Sequence, residues 1–381
     1  MRELLPIEAD PERVLPALRA ALSGDGPALL PFPIGTPPHD RLPAQVPRRI
    51  AAVIATSGSS GTPKRVALST DALLASAGAT DAALGGPGRW LLALPVHYIA
   101  GLQVLTRSIV AGTEPVILAA ASFDPVAFAR ATEELGDVRR YTSLVPAQLA
   151  ALVAAGEADR GIAAILRSLH TLLIGGQRLD AGLRDRAERL GLRAVRTYGS
   201  SETAGGCVYD GVPLGQVKVR IEAGEVLLAG PMLAEEYLDD PDRTQRAFVT
   251  QDGLRWYRTG DLGSFDEADG GLLHVQGRRD DVYISGGEKV SLALVEAEAR
   301  TLAGLEDAHV VAVPSERWGE VPVVVLPDAA PHVELDALRE RLIARLGRAA
   351  APDRIVRVSA IPTLNSGKPD RRALRDIAER N

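Results

Sequence analysis

The chain has 381 residues, 46% of them hydrophobic and 24% charged, which is the composition of an ordinary globular protein of two or three domains and excludes disorder and coiled coil. With 43 Lys and Arg against 49 Asp and Glu the formal charge is −6, so there is no electrostatic footprint for nucleic acid or an anionic membrane, and any bound anion must be held locally. The single cysteine, Cys207, excludes an intrachain disulfide and a cysteine-built metal site. It fits a reducing cytoplasm. The start, MRELLPIEAD, lacks an apolar core, and no apolar run nears the roughly 18 residues of a membrane span, so the expectation is a cytoplasmic protein with no membrane insertion.

Residues 11–22 (PERVLPALRAAL) read as an amphipathic helix, followed by six prolines between Pro31 and Pro47 that predict an irregular wrap. From Arg49 onward strand-like runs at 50–56, 90–96, 115–120, 171–176 and 193–199 alternate with helical patterns such as 182–190, which predicts an α/β sheet with helices on its faces. After about residue 214 the pattern changes to short β-rich pieces between Gly and Asp turns. A further change follows the charged run Arg278-Arg279-Asp280-Asp281. Helices at 291–303 and 335–346 with strands at 309–313 and 321–326 then make a small α+β unit. The fold class is α/β: a large N-terminal domain, 1–279, with a β-rich subdomain at about 212–279, and a smaller C-terminal domain, 280–381.

Five motifs carry chemistry. Thr56-Ser57-Gly58-Ser59-Ser60-Gly61-Thr62-Pro63-Lys64 follows a strand with glycines, hydroxyls and a lysine, which suits a polyphosphate. It is not a Walker A loop, because Pro63 stands where Gly is required and Arg65 where Ser or Thr is required. Thr197-Tyr198-Gly199-Ser200-Ser201-Glu202-Thr203 offers one carboxylate after a glycine turn, enough to help hold Mg²⁺. Trp256 to Leu262 places Asp261 after a glycine turn. The remaining two are Gly277 to Val290, with Ser285-Gly286-Gly287, and Asn365-Ser366-Gly367-Lys368 near the C-terminus.

All five in this order resemble the adenylate-forming superfamily of acyl-CoA synthetases, aryl-CoA ligases, peptide-synthetase adenylation domains and luciferases. Residues 94–101, 141–146 and 202–211 look most like the short actinobacterial form of the o-succinylbenzoate:CoA ligases of menaquinone biosynthesis. The resemblance implies that Thr56, Ser57, Gly58, Ser59, Ser60, Gly61, Thr62 and Lys64 cradle the ATP phosphates. Gly175, Gly176 and Gln177 would lie against adenine, Tyr198 and Gly199 would belong to the same nucleotide site, and Asp261 and Arg278 would hold the ribose. Glu202 would be the Mg²⁺ ligand and Thr203 an α-phosphate contact. His97, Ser143 and Gly205 would build the acyl and CoA region, and Ser285, Gly286 and Gly287 the pantetheine tunnel. Asp280 would be the hinge of a mobile C-terminal domain carrying the adenylating Lys368.

The implied reaction is ATP + o-succinylbenzoate + CoA → acyl-CoA + AMP + pyrophosphate through an acyl adenylate, with ATP, Mg²⁺ and CoA as cofactor and co-substrates. An aryl-acid adenylating enzyme with another acid, or with a carrier-protein acceptor, is the alternative. The partners are small molecules, with a homodimer as one way to cover surface left by a short N-terminal portion. Cys207 reads as an inert buried residue, Tyr209 and Asp210 as a turn or a pocket wall, and Arg371 and Arg372 as solvated.

Overall fold

The computed structural model describes residues 1–38, 41–56, 64–118, 123–266, 271–363 and 369–381. A first sheet is built from β1 (Arg2–Glu8), β2 (Ala28–Phe32), β3 (Gln45–Val46), β4 (Ile50–Thr56), β5 (Lys64–Ser69) and β15 (Glu236–Tyr237) in the order β15-β5-β4-β2-β1-β3. Ile50 to Ile54 are all fully buried, as a continuous apolar run requires when both faces of its sheet are covered. β4 and β5 run antiparallel with Thr56 opposite Lys64.

A second sheet joins β6 (Arg89–Leu92), β7 (Val116–Ile117), β8 (Arg140–Leu144), β9 (Thr171–Ile174), β10 (Ala194–Ser200), β11 (Gly205–Tyr209) and β12 (Val212–Pro213) in the order β12-β11-β10-β9-β8-β6-β7. Its strands from β6 to β10 are parallel, and β11 returns antiparallel to β10. Between the strands lie α1 (Pro11–Ser23), α2 (Thr70–Ala83), α3 (Ile99–Ala111), α4 (Pro125–Glu133), α5 (Pro146–Ala158), α6 (Arg160–Leu166) and α7 (Ala181–Arg189). In α1, Asp10 caps the N-terminus by accepting from the Glu12 amide, Val14, Leu18 and Ala21 bury one stripe, and Gly24 at φ +86° ends the helix.

The change of pattern after residue 214 is seen as β13 (Lys218–Glu222), β14 (Glu225–Ala229), α8 (Pro241–Ala247), β16 (Phe248–Gln251), β17 (Leu254–Asp266) and β18 (Leu272–Arg278). The C-terminal part has β19 (Val282–Ser285), β20 (Glu288–Ser291), β21 (His309–Ser315), β22 (Gly319–Pro327) and β23 (Ile355–Val358) in a sheet ordered β20-β19-β22-β21, with β23 on β22. Helices α9 (Leu292–Ala299) and α10 (Leu335–Leu346) pack on it through Val295, Ala299, Leu338 and Leu342, while α11 (Arg371–Arg380) uses Leu374 and Ala378 in a separate cluster. The chain divides into two compact units: Met1–Arg220 with Leu227–Arg258 and Asp266–Leu273, and Ile221–Val226 with Thr259–Phe265 and His274–Asn381.

Two readings change. The proline-rich stretch is not irregular throughout, because Pro31 lies in β2 and Gln45–Val46 form β3. Pro31 is tolerated near the end of its strand, where a missing N–H costs at most one ladder bond. Gly199 is not in a turn: it lies within β10, paired with Gly206 of β11 after a register shift. A Cβ there would meet the Gly205 carbonyl oxygen at 2.1 Å, so the glycine is needed for close approach of two backbones.

Candidate active site

Glu202 lies on a single 3₁₀ turn, Ser201–Thr203, between β10 and β11, and is 6% exposed. Its Oε1 accepts a 2.8 Å hydrogen bond from the Tyr237 hydroxyl, and its backbone carbonyl accepts from the Ala234 amide at 2.8 Å. The turn is braced from within by Thr203, fully buried, whose hydroxyl accepts from the Ser200 amide and donates to the Gly205 carbonyl. From outside, Ser76 of α2 and Gln103 of α3 both donate to the Ala204 carbonyl, at 2.9 and 2.7 Å. Neither was legible as a site residue in the sequence. Among the described residues Glu202 makes no ion pair, and no group of three His, Cys, Asp or Glu could hold a metal by itself. A lone carboxylate with one oxygen held by a neutral donor fits Mg²⁺, which takes one or two carboxylates and fills its octahedron with water and substrate phosphate.

Tyr237 also connects the turn to the phosphate-loop motif. The Lys64 ammonium stands 5.7 Å from the centroid of its ring, and Thr56 is the register partner of Lys64. Ser57, Gly58, Ser59, Ser60, Gly61 and Thr62, like Lys368, lie outside the described residues. Gly175, Gly176 and Gln177 follow the end of β9, with the Gly175 amide bonded to the Leu144 carbonyl at 3.0 Å. Tyr198 is in β10 opposite Val208.

His97 sits in the turn that enters α3, its ring 4.2 Å from that of Tyr98. Burial lowers its pKa, and its Nδ1 has no hydrogen-bond partner among the described residues, so the ring is neutral near pH 7. Further along α3, on the same face as Gln103 and one turn on at i+4, is Arg107. It is 3% exposed and lies 4.7 Å over the Trp90 ring; it donates one long bond, 3.4 Å, to the Ser143 hydroxyl, and its Nε has no partner. Ser143 is on β8 and 7% exposed, with its hydroxyl facing this guanidinium. Asp81 of α2 and Tyr209 of β11 contribute to the electrostatics of Arg107, while Tyr209 is bonded to Thr80 at 2.9 Å. The signal that could have found Arg107 is an arginine amid the otherwise uncharged run IAGLQVLTRSIVA. Asp210 has φ +47° and accepts from the Arg196 amide, which makes it a turn residue. Burial pushes the Cys207 thiol up to about 12, so it is inert.

In the second unit Arg278 and Asp261 meet at 3.2 Å, and Arg278 also donates to the Thr259 carbonyl at 2.9 Å. Ser285 pairs with Glu288 across a two-residue hairpin turn made by Gly286 and Gly287, φ +58° and +87°, a type I′ geometry that L side chains resist. The exposed Trp318 ring packs against this turn. Arg371 is exposed, as its reading as solvated expects, and there pairs with Asp281 at 3.2 Å and lies 3.8 Å from Glu296, because α11 docks beside the short turn that follows Arg278.

Known proteins resemble this chain along most of its length. Residues 6–238 match the AMP-binding enzyme family and residues 294–368 the AMP-binding enzyme C-terminal domain. A probable 2-succinylbenzoate–CoA ligase of Mycobacterium tuberculosis is 40% identical over 373 residues, 95% of this chain and 94% of that protein. A feruloyl-CoA synthase of Amycolatopsis is 33% identical over 84% of this chain and 68% of that protein. Among solved structures, the o-succinylbenzoate CoA synthetase of Bacillus subtilis with its acyl-adenylate intermediate has a TM-score of 0.74 at 24% identity, covering 95% of this chain and 81% of that one. The amide bond synthetase McbA of Marinactinospora thermotolerans has a TM-score of 0.76 at 28% identity, covering 98% and 80%. Among the described residues no helix is long and apolar enough to cross a membrane. Family match, domain order and the clustered glutamate turn agree: the chain belongs to the AMP-binding enzyme family.

Proposed function

We propose that this enzyme is an AMP-forming ligase that joins o-succinylbenzoate to CoA. The observation that carries the acid is Arg107. o-Succinylbenzoate has two carboxylates; one is activated, and the other stays an anion that needs a countercharge away from the reacting centre. A buried guanidinium with unspent donors, one helical turn from the residue that braces the Glu202 turn, supports that assignment over an acid such as ferulate, which has no second carboxylate.

In the first step a carboxylate oxygen attacks the α-phosphorus of ATP and pyrophosphate leaves. In the second the CoA sulfur attacks the acyl carbonyl and AMP leaves. Because the first step brings anion to anion, it needs fixed positive charge. Lys64 and Lys368 supply it in our reading, Glu202 holds Mg²⁺, and Asp261 with Arg278 orients the ribose. Mg²⁺, when bound, neutralises phosphate charge. Asp280 is read as the hinge between 1–279 and 280–381, and Ser285 to Gly287 as the surface presented to pantetheine; the division into two compact units supports a two-body design. The lone buried thiol supports a cytoplasmic setting.

The test is acid-dependent ATP–pyrophosphate exchange with o-succinylbenzoate, ferulate, benzoate and salicylate, followed by transfer to free CoA or to a phosphopantetheinyl carrier. Strong preference for o-succinylbenzoate and CoA is expected. Equal exchange with ferulate would overturn the choice of acid, and transfer to the carrier alone would overturn the choice of acceptor.

A further inference from the structure

The geometry points to Tyr237 as a positioning residue that sets the Glu202 carboxylate against the Lys64 ammonium, an inference that rests on reading Glu202 as the Mg²⁺ ligand and Lys64 as a phosphate ligand. Tyr237 is 3% exposed and sits in the two-residue strand β15, opposite Val66 and therefore two residues along β5 from Lys64. The segment around it grips three things at once. Ala234 donates from its amide to the Glu202 carbonyl, Glu235 donates from its amide to the Ala67 carbonyl, and the Tyr237 hydroxyl donates to Glu202 Oε1 at 2.8 Å. Both ends of Glu202, backbone and carboxylate, are thus tied to the strand that carries Lys64.

Tyr237 itself has little freedom. Its amide donates to Thr244 Oγ1 at 2.9 Å, and its ring packs 5.8 Å from Phe248. Lys64 lies 5.7 Å and Arg243 5.9 Å from the same ring, so the phenol presents its negative face to cations and its O–H to the anion. A phenol, with an ordinary pKa of about 10, is a neutral donor near pH 7. A neutral donor is the chemistry required here: a lysine or arginine in its place would neutralise the carboxylate and compete with a divalent cation, whereas a phenol fixes one oxygen and leaves the charge available.

The experiment measures ATP binding calorimetrically as free Mg²⁺ is varied, without acid or CoA, on full-length wild type, Tyr237→Phe, Tyr237→Leu and Glu202→Gln. Loss of a partner outside the ligand shell costs roughly 10–100-fold in metal affinity. Tyr237→Phe keeps the ring and the packing. It is expected to shift the half-maximal Mg²⁺ concentration upward about tenfold, with unchanged ATP binding in EDTA and a near-wild-type melting temperature. Tyr237→Leu, which also removes the surface under Lys64, is expected to weaken ATP binding in EDTA as well. If Glu202→Gln shifts the Mg²⁺ dependence and Tyr237→Phe does not, the positioning role is overturned while the Glu202 assignment stands. If Glu202→Gln leaves the Mg²⁺ dependence unchanged, that assignment fails and the role of Tyr237 falls with it.

Discussion

Replacing Arg107 with Met separates an anion-binding role from a structural one, because the two predict opposite signs for stability. Arg107 is 3% exposed, yet its visible compensation is one 3.4 Å bond to Ser143 and the Trp90 ring at 4.7 Å. Burial lowers its pKa, and Asp81, whose Oδ1 has no bonded partner among the described residues, opposes this only electrostatically. Replacing a poorly compensated buried charge with an apolar residue of similar length is neutral or stabilising, by about 1–4 kcal/mol. The ligand-free Arg107→Met protein should therefore melt at or a few degrees above wild type. With o-succinylbenzoate the sign reverses: a charge-assisted bond to a ligand carboxylate is worth about 1.5–3 kcal/mol, or roughly 10–150-fold in affinity. Steady-state pyrophosphate release should show kcat/KM for o-succinylbenzoate falling by about 100-fold, the KM for ATP staying within about twofold, and benzoate turnover scarcely changing. A variant that melts several degrees lower and keeps its kcat/KM for o-succinylbenzoate would show that Arg107 holds the fold together, and the choice of acid would lose its support.

Three further outcomes are expected. Burial lowers the His97 pKa below its ordinary value of about 6.5, so the unfolded chain binds more protons than the folded one, and stability present above pH 6.5 declines as the pH falls through the interval beneath it. His97→Asn should flatten that decline, read as urea midpoints at pH 7.5 and 5.5; identical slopes would show that His97 is not held neutral. Gly199→Ala forces a Cβ to 2.1 Å from a backbone carbonyl, whereas at Gly175 the obstacle, at 2.6 Å, is the Thr197 hydroxyl, which can rotate. Gly199→Ala should cost about 1–3 kcal/mol or more in chemical denaturation, and Gly175→Ala clearly less; the reverse order would contradict the close approach of β10 and β11. Lys368→Ala should abolish pyrophosphate exchange while leaving thioester formation from preformed acyl adenylate much less affected, and equal loss in both half-reactions would remove Lys368 from adenylation.

What could be read from the chain is what local sequence encodes. The strand-like run 50–56, the stripe Val14-Leu18-Ala21 and the glycines of Gly286-Gly287 each declare a strand, a helix or a turn within a few residues, since apolar periodicity and backbone sterics are local properties. The ordered motifs likewise identify the reaction class, because phosphate loops and a glutamate turn are contiguous. Tertiary structure alone decided what depends on residues distant in sequence. Glu202 acquires Tyr237, 35 positions away, and Arg107 acquires Ser143, 36 positions away. Gln103 reaches Ala204 across 101 positions. Arg371 meets Asp281 only because α11 folds back. None of these pairings is encoded locally, since a side chain acquires its partner only from what the fold sets against it. The two-residue strand β15 is too short to show any period, and it is long-range pairing with β5 that brings Tyr237 between a lysine and a carboxylate.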